Sequence, residues 1–273
     1  MEFHLQGGFE GHSAWCYTGG RPLEAALPAI VFIHGAQHDH SVWALQSRWF
    51  AHHGWRVLAV DLPGHGRSPG PALTSVEAMA DWLLALLDAA GIDAAILAGH
   101  SMGSLIALEA AARAPARVRG LALLATAWPM KVSDALLACA REDEAAAIDM
   151  VNIWSHGSLL AHKPSAPGPG FSVPGMNRRL MQRMSARNPA QLFYTDFSAC
   201  NAYAGGARAA AGVRCPTLFI FGRRDAMTPP RAAQGLLSAI PGATVVQVDA
   251  GHAMMSEQPD AVLDALAAFA ARA

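Results

Sequence analysis

Three short stretches hold residues whose types suit nucleophilic catalysis. Gly99-His100-Ser101-Met102-Gly103 sets a serine between glycines, Gly222-Arg223-Arg224-Asp225 ends in a carboxylate, and Asp249-Ala250-Gly251-His252 ends in an imidazole. A serine hydroxyl attacks well only when a base takes its proton, and that base needs an acid to fix its tautomer. Ser101, His252 and Asp225 are the residue types for nucleophile, base and orienting acid. The apolar run ending at Ala98 and the helical run from Leu105 put Ser101 on a strand-turn-helix. In that setting glycines at 99 and 103 let helix and strand pass closely, and the Met102 N–H lies at a helix start, where an oxyanion would gain. Read singly, the three stretches are also a Gly-rich turn, a helix cap and a loop histidine. Their order and their placement at three strand ends favour the catalytic reading.

Those strand ends follow from the apolar pattern. Apolar runs at residues 29–33, 55–60 and 118–125 read as strands buried on both faces, and residues 94–98, 217–221 and 244–248 read as further strands. Residues 2–6 and 12–17 alternate and predict an antiparallel edge pair. Helical spacing at 42–53, 75–90, 105–114, 231–239 and 260–272 separates the strands. Strand and helix in alternation predict an α/β fold: a mostly parallel, doubly wound sheet of about eight strands, with its chemistry at the carboxyl edge. The rhythm breaks after the sixth strand. Residues 133–153 read as one or two helices, 163–175 as a Pro- and Gly-rich loop, and 176–187 and 193–203 as further helices. The expected division is a core of 1–128 and 211–273, with a helical cap of 129–210.

Composition excludes several classes. The chain has 273 residues, 52% hydrophobic and 15% charged, with a formal net charge of −1. That suits a large core and gives neither nucleic acid nor an anionic membrane a basic face to meet. Residues 1–8 lack the pattern of a signal peptide, and no run is long enough to span a bilayer. Cys16, Cys139, Cys200 and Cys215 are scattered, which predicts reduced thiols, no metal site and a cytoplasmic protein. A small-molecule substrate, no cofactor and a monomer or homodimer are expected.

With these motifs in view the chain resembles the α/β-hydrolases over nearly its full length. Besides Ser101, Asp225 and His252, the matching residues are His34-Gly35, Asp61-x-Pro63-Gly64-x-Gly66-x-Ser68, Pro216-Thr217 and Glu257-x-Pro259. The resemblance implies a second oxyanion donor, the backbone N–H of Ala36 beside that of Met102. It implies a serine hydrolase cleaving a small carboxylic ester or lactone through an acyl-enzyme. Serine at 101 is unlike the carboxylate nucleophile of haloalkane dehalogenases and epoxide hydrolases. Meta-cleavage C–C hydrolases typically place Trp after the catalytic histidine, where this chain has Ala253. Residues 34–38 with Trp43 resemble the plant methylesterase and hydroxynitrile lyase branch. His38-Asp39-His40 and His100-Ser101 also resemble the cofactor-free quinolone dioxygenases. Those enzymes are expected to take their acid from the end of the sixth strand, here Leu124-Ala125-Thr126. A cofactor-free dioxygenase, a C–C hydrolase and a non-enzymatic small-ligand receptor retaining the triad are the alternatives.

Candidate substrate-contacting residues are His38, His100, Trp128, Trp154, Met184 and Met254. Met130 and Met181 are also suited to an apolar pocket, because thioethers and flat rings fit irregular ligands. Ordinary packing is the competing role for each of them. Loop hydrogen bonding competes for His38 and His40, a structural role is expected of His65, and a solvated helix face competes for Arg178, Arg179 and Arg183.

Overall fold

Apolar strands need cover on two faces, and the chain supplies it with helices on both sides of one sheet. The structure, a computed structural model, describes residues 1–6, 8–9, 11–157, 172–188 and 191–273. Its strands are β1 (Glu2–His4), β2 (Ser13–Tyr17), β3 (Ala29–Ile33), β4 (Arg56–Val60), β5 (Ala95–His100), β6 (Val118–Leu124), β7 (Thr217–Gly222) and β8 (Thr244–Val248). They form an eight-stranded sheet in the order β1-β2-β4-β3-β5-β6-β7-β8. β1 and β2 run antiparallel at one edge, and all pairs from β4 to β8 are parallel.

Between the strands lie α1 (Ala44–His52), α2 (Val76–Ala89), α3 (Met102–Arg113), and then, between β6 and β7, α4 (Asp134–Glu142), α5 (Glu144–Trp154), α6 (Val173–Arg187), α7 (Leu192–Ala202) and α8 (Gly206–Gly212). α9 (Gln234–Ala239), α10 (Met254–Glu257) and α11 (Pro259–Ala270) complete the chain. Along β3 the faces alternate. Ile30 and Phe32 join Trp43, Phe50 and Phe269 on one side, while Val31 and Ile33 join Leu83, Leu86 and Leu105 on the other. Each such side chain contributes about 1.5–3 kcal/mol when fully buried.

Several elements differ from expectation for local reasons. The helix expected over 42–53 opens as a 3₁₀ turn, His40–Trp43, capped by Asp39, whose carboxylate accepts from the Ser41 N–H at 2.9 Å. The segment 133–153 is two helices. Asp143 closes α4 and caps α5, with Oδ1 accepting from the Ala146 N–H at 3.0 Å. α6 starts at Val173, inside the stretch read as loop. Pro174 reads as a breaker yet sits in the first turn, where a missing N–H costs nothing, and the Ser172 hydroxyl caps it by accepting from the Gly175 N–H at 3.1 Å. The rest of the expected loop, 163–171, lies outside the described residues. α8 was not expected. It packs on α3, and the boundary drawn at 210 falls inside it. Among the described residues no helix is long and apolar enough to cross a membrane.

Candidate active site

Ser101 sits between β5 and α3 with φ 52° and ψ −118°, a strained conformation for a residue with a side chain. The backbone around it is tightly packed. A Cβ on Gly99 would lie 2.1 Å from the Gly103 carbonyl oxygen, and one on Gly103 would lie 2.4 Å from that of Ile33. The turn is tied from both sides. The Ser101 N–H donates to the Leu124 carbonyl at 2.9 Å, and Ser104 Oγ donates to the Ser101 carbonyl at 2.5 Å. Met102 opens α3, so its N–H has no acceptor within the helix.

His252 and Asp225 meet beside this turn. His252 Nδ1 lies 2.9 Å from Asp225 Oδ2, with both side chains buried. The other carboxylate oxygen accepts from the N–H groups of Met227 and Thr228, each at 2.9 Å. Burial alone would raise the Asp225 pKa. The imidazole and these hydrogen bonds outweigh it and hold the carboxyl well below the usual carboxylate range. The charged acid and its bond to Nδ1 leave the far nitrogen, Nε2, as the basic one.

Thr228, which the sequence did not single out, stands at the centre of this group. Its Oγ1 lies 2.8 Å from Asp225 Oδ2, 3.1 Å from His252 Nδ1 and 2.9 Å from the Ala125 carbonyl. Ala125 has φ 48°, which turns the carbonyl at the end of β6 toward the hydroxyl. Glu257 fixes the histidine loop. It accepts from the N–H groups of Gly251 and Gly157, both at 3.0 Å. Thr126 follows Ala125 where an acid was sought, and its hydroxyl lies 2.8 Å from Ser104 Oγ.

The other histidines are engaged elsewhere. His100 Nε2 donates to the His252 carbonyl at 2.9 Å, and burial with His252 nearby pushes its pKa well below the ordinary value. His38 Nε2 donates to Asn177 Oδ1 on α6 at 2.7 Å. His40 bonds Asp61 at 2.8 Å, the loop role weighed above. His65 contacts Pro63 and Asp196. Asp39, His40 and Asp61 offer metal-ligand types within one small volume. Their donor atoms are bound within the chain: Asp61 accepts from His40 and the Arg67 N–H, and Asp39 from Ser41 and Arg183.

A cavity of about 200 Å³ is lined by Ser101, Ala36 and Thr228. Met130, Leu136, Trp154, Phe197 and Met227 supply its apolar wall, and Lys131 and Ser133 also line it. Of the six expected contact residues, Trp154 lines this cavity, 38% exposed. The other five do not line it. His38 and His100 are hydrogen-bonded beside the site, off the wall. Trp128 packs on Gly206, where a Cβ would lie 2.3 Å from its ring. Met184 is fully buried, its sulfur accepting from the Gly66 N–H at 3.4 Å. Met254 is fully buried beneath the sheet with Val262 and Leu266. Met181 is likewise fully buried. Residue type marked these side chains, but which face of each helix turned inward was not legible. Leu136 and Phe197 were missed for the same reason, and Met227 because it lies in the loop after β7.

Comparison with known proteins agrees with this geometry. A pimeloyl-[acyl-carrier protein] methyl ester esterase of Aromatoleum aromaticum is 32% identical over 257 residues, 85% of this chain and 94% of that protein. An enol-lactonase from Burkholderia xenovorans LB400 superposes with TM-score 0.82 at 26% identity, covering 96% of this chain and 97% of that one. A dihydrolipoyllysine-residue acetyltransferase component of the acetoin cleaving system from Pseudomonas putida is 41% identical over 115 residues, and the match spans 41% of this chain but only 30% of that protein. Residues 28–259 match the family described as alpha/beta hydrolase fold, so the chain, with its sheet order and serine turn, belongs to the α/β-hydrolases.

Proposed function

We propose that the chain is a carboxylic ester hydrolase that works through an acyl-enzyme on Ser101. The observation carrying this reading is the 2.9 Å bond between His252 Nδ1 and Asp225, beside a serine held at φ 52° that lines the cavity. His252 Nε2 takes the Ser101 proton as Oγ attacks the substrate carbonyl. The N–H groups of Ala36 and Met102 stabilise the oxyanion that forms. The intermediate collapses, and His252 returns its proton to the leaving alcohol. Water, deprotonated by the same imidazole, then releases the acid and restores Ser101.

A cavity of about 200 Å³ with an apolar wall favours a small ester or lactone. The relatives support that range, one being named a methyl ester esterase and another an enol-lactonase. The helices of 129–210 act as a cap and set substrate range, since Met130, Leu136, Trp154 and Phe197 all come from that segment. The dioxygenase alternative is disfavoured by Thr126 at the end of β6 and by Asp225 on His252.

The test is hydrolysis of p-nitrophenyl acetate and butyrate, methyl esters of graded acyl length and small lactones, with a quinolone and a meta-cleavage product as controls. Turnover of esters or lactones is expected. Loss of about 10⁶ in kcat is expected for Ser101→Ala. A folded Ser101→Ala enzyme keeping a tenth of the activity, or turnover of the quinolone alone, would overturn the reading.

A further inference from the structure

We infer that Asp196, on the cap helix α7, positions the oxyanion hole, so that the cap governs the rate of the chemical step as well as substrate range. This inference rests on the proposed role of the Ala36 N–H. Asp196 is fully buried. Its Oδ2 accepts from the backbone N–H of Gln37, the residue after Ala36, at 2.7 Å. Gln37 has φ 59°, a left-handed conformation that a glutamine holds only when its surroundings impose it.

The loop is gripped on both sides of Ala36. On the core side, His34 Nδ1 donates to the Gly35 carbonyl at 2.8 Å, and its Nε2 accepts from the Leu62 N–H at 3.1 Å. On the cap side, besides Asp196, Gln37 Nε2 donates to the Met181 carbonyl at 3.0 Å and to Ser185 Oγ at 2.7 Å, both on α6. Ser185 Oγ in turn donates to Glu144 on α5 at 2.9 Å. Two cap helices, α6 and α7, therefore hold one residue of the oxyanion loop, and α5 braces α6 through Glu144.

The same carboxylate oxygen meets His65 Nε2 at 2.8 Å, and His65 Nδ1 faces the Pro63 carbonyl at 3.0 Å. Both ring nitrogens face acceptors, so His65 carries both protons and the positive charge that Asp196 needs when buried. Burial pulls the His65 pKa down, but Asp196, the Pro63 carbonyl and Asp61 outweigh it, and the net shift is upward. A buried charge of this kind is costly to move, which makes Asp196 a rigid post for the Gln37 N–H rather than an adjustable contact.

Asp196 is thus a positioning residue, and its variants should weaken transition-state binding more than substrate binding. The readouts are kcat and KM on an ester the enzyme turns over, the Ki of a trifluoromethyl ketone matched to its acyl group, and Tm. Such a ketone accepts Ser101 Oγ at its carbonyl carbon while the serine proton passes to His252, and the resulting oxyanion occupies the hole. Asp196→Ala should lower kcat by about tenfold to a hundredfold, below the 10²–10³ typical of deleting a donor outright. KM should stay within about threefold, and the ketone Ki should weaken in parallel with kcat/KM. Asp196→Asn, which keeps the shape and one acceptor, should lie between Asp196→Ala and the unmodified enzyme.

Ser185→Ala spares the Asp196–His65 pair and cuts one tie to Gln37, so it should lower kcat a few-fold with KM unchanged. It decides the matter if the Asp196 variants do not fold. Asp149→Ala, which removes an ion pair with Arg178 between α5 and α6, should leave kcat and Ki unchanged. A folded Asp196 or Ser185 variant with lower Tm but unmodified kcat and Ki would overturn the inference while leaving the hydrolase reading intact. Hydrolysis surviving Ser101→Ala would instead remove the reading itself.

Discussion

Thr228 shows how much of the site depends on a side chain with no chemistry of its own. Its hydroxyl has one proton and three polar neighbours, Asp225, His252 and the Ala125 carbonyl, so it fixes the plane in which acid and base meet. Thr228→Val removes that hydroxyl and leaves a buried carbonyl unpaired. The expected cost is about 1–3 kcal/mol of stability. We expect kcat to fall about tenfold and Thr228→Ser to restore most of it, as steady-state kinetics with urea unfolding would check. Asp225→Asn should cost about 10⁴ in kcat by analogy with the protease triad. A near-normal rate for the folded Asn variant would remove Asp225 from the mechanism. At this scale Ser101, Asp225 and His252 were legible because each sits in a short motif that follows a strand. Thr228 was not, because a threonine three residues after an acid reads as an ordinary turn.

Among the elements, the strands and most helices over the core were legible from apolar period, α8 excepted, whereas the inward faces of the helices between β6 and β7 were not. Two methionine- and tryptophan-bearing helices show the difference. Trp154, at the end of α5, lines the cavity, but Met184 on α6 is sealed against Gly66. Trp154→Ala should therefore shift preference among acyl lengths by roughly 1–3 kcal/mol in kcat/KM. Met184→Ala should instead lower stability by about 2–5 kcal/mol with acyl preference unchanged. A panel of p-nitrophenyl esters with a denaturant titration separates the two, and the opposite pattern would refute this assignment of faces. The start of α6 was misread because Pro174 and Gly175 look like breakers in sequence, although the first turn of a helix tolerates both.

For the whole molecule, strand-helix alternation made the parallel sheet legible, and a structural role was expected of His65, but the direction in which burial would shift each histidine was not legible. His34 and His100 are held well below their ordinary pKa, chiefly by burial, and His38 and His156 shift the same way. Such groups bind protons in the unfolded chain first, so the stability they contribute is present above about pH 6.5 and is lost as pH falls. His34 and His100 should each remove up to about 1.4 kcal/mol per pH unit below that point. His65, shifted upward, acts in the opposite sense, and its contribution is lost as pH rises through its folded value. The urea midpoint should fall between pH 7 and pH 5, and a flat midpoint would contradict the burial of these rings. The central claim concerns Ser101, and trapping tests it most directly. The enzyme is mixed with a slowly turned-over p-nitrophenyl ester, quenched in acid and measured by intact mass and peptide mapping. The account predicts one acyl group per chain, on Ser101, and none in Ser101→Ala. Turnover with no acylated Ser101, or acylation persisting in the alanine variant, would contradict it.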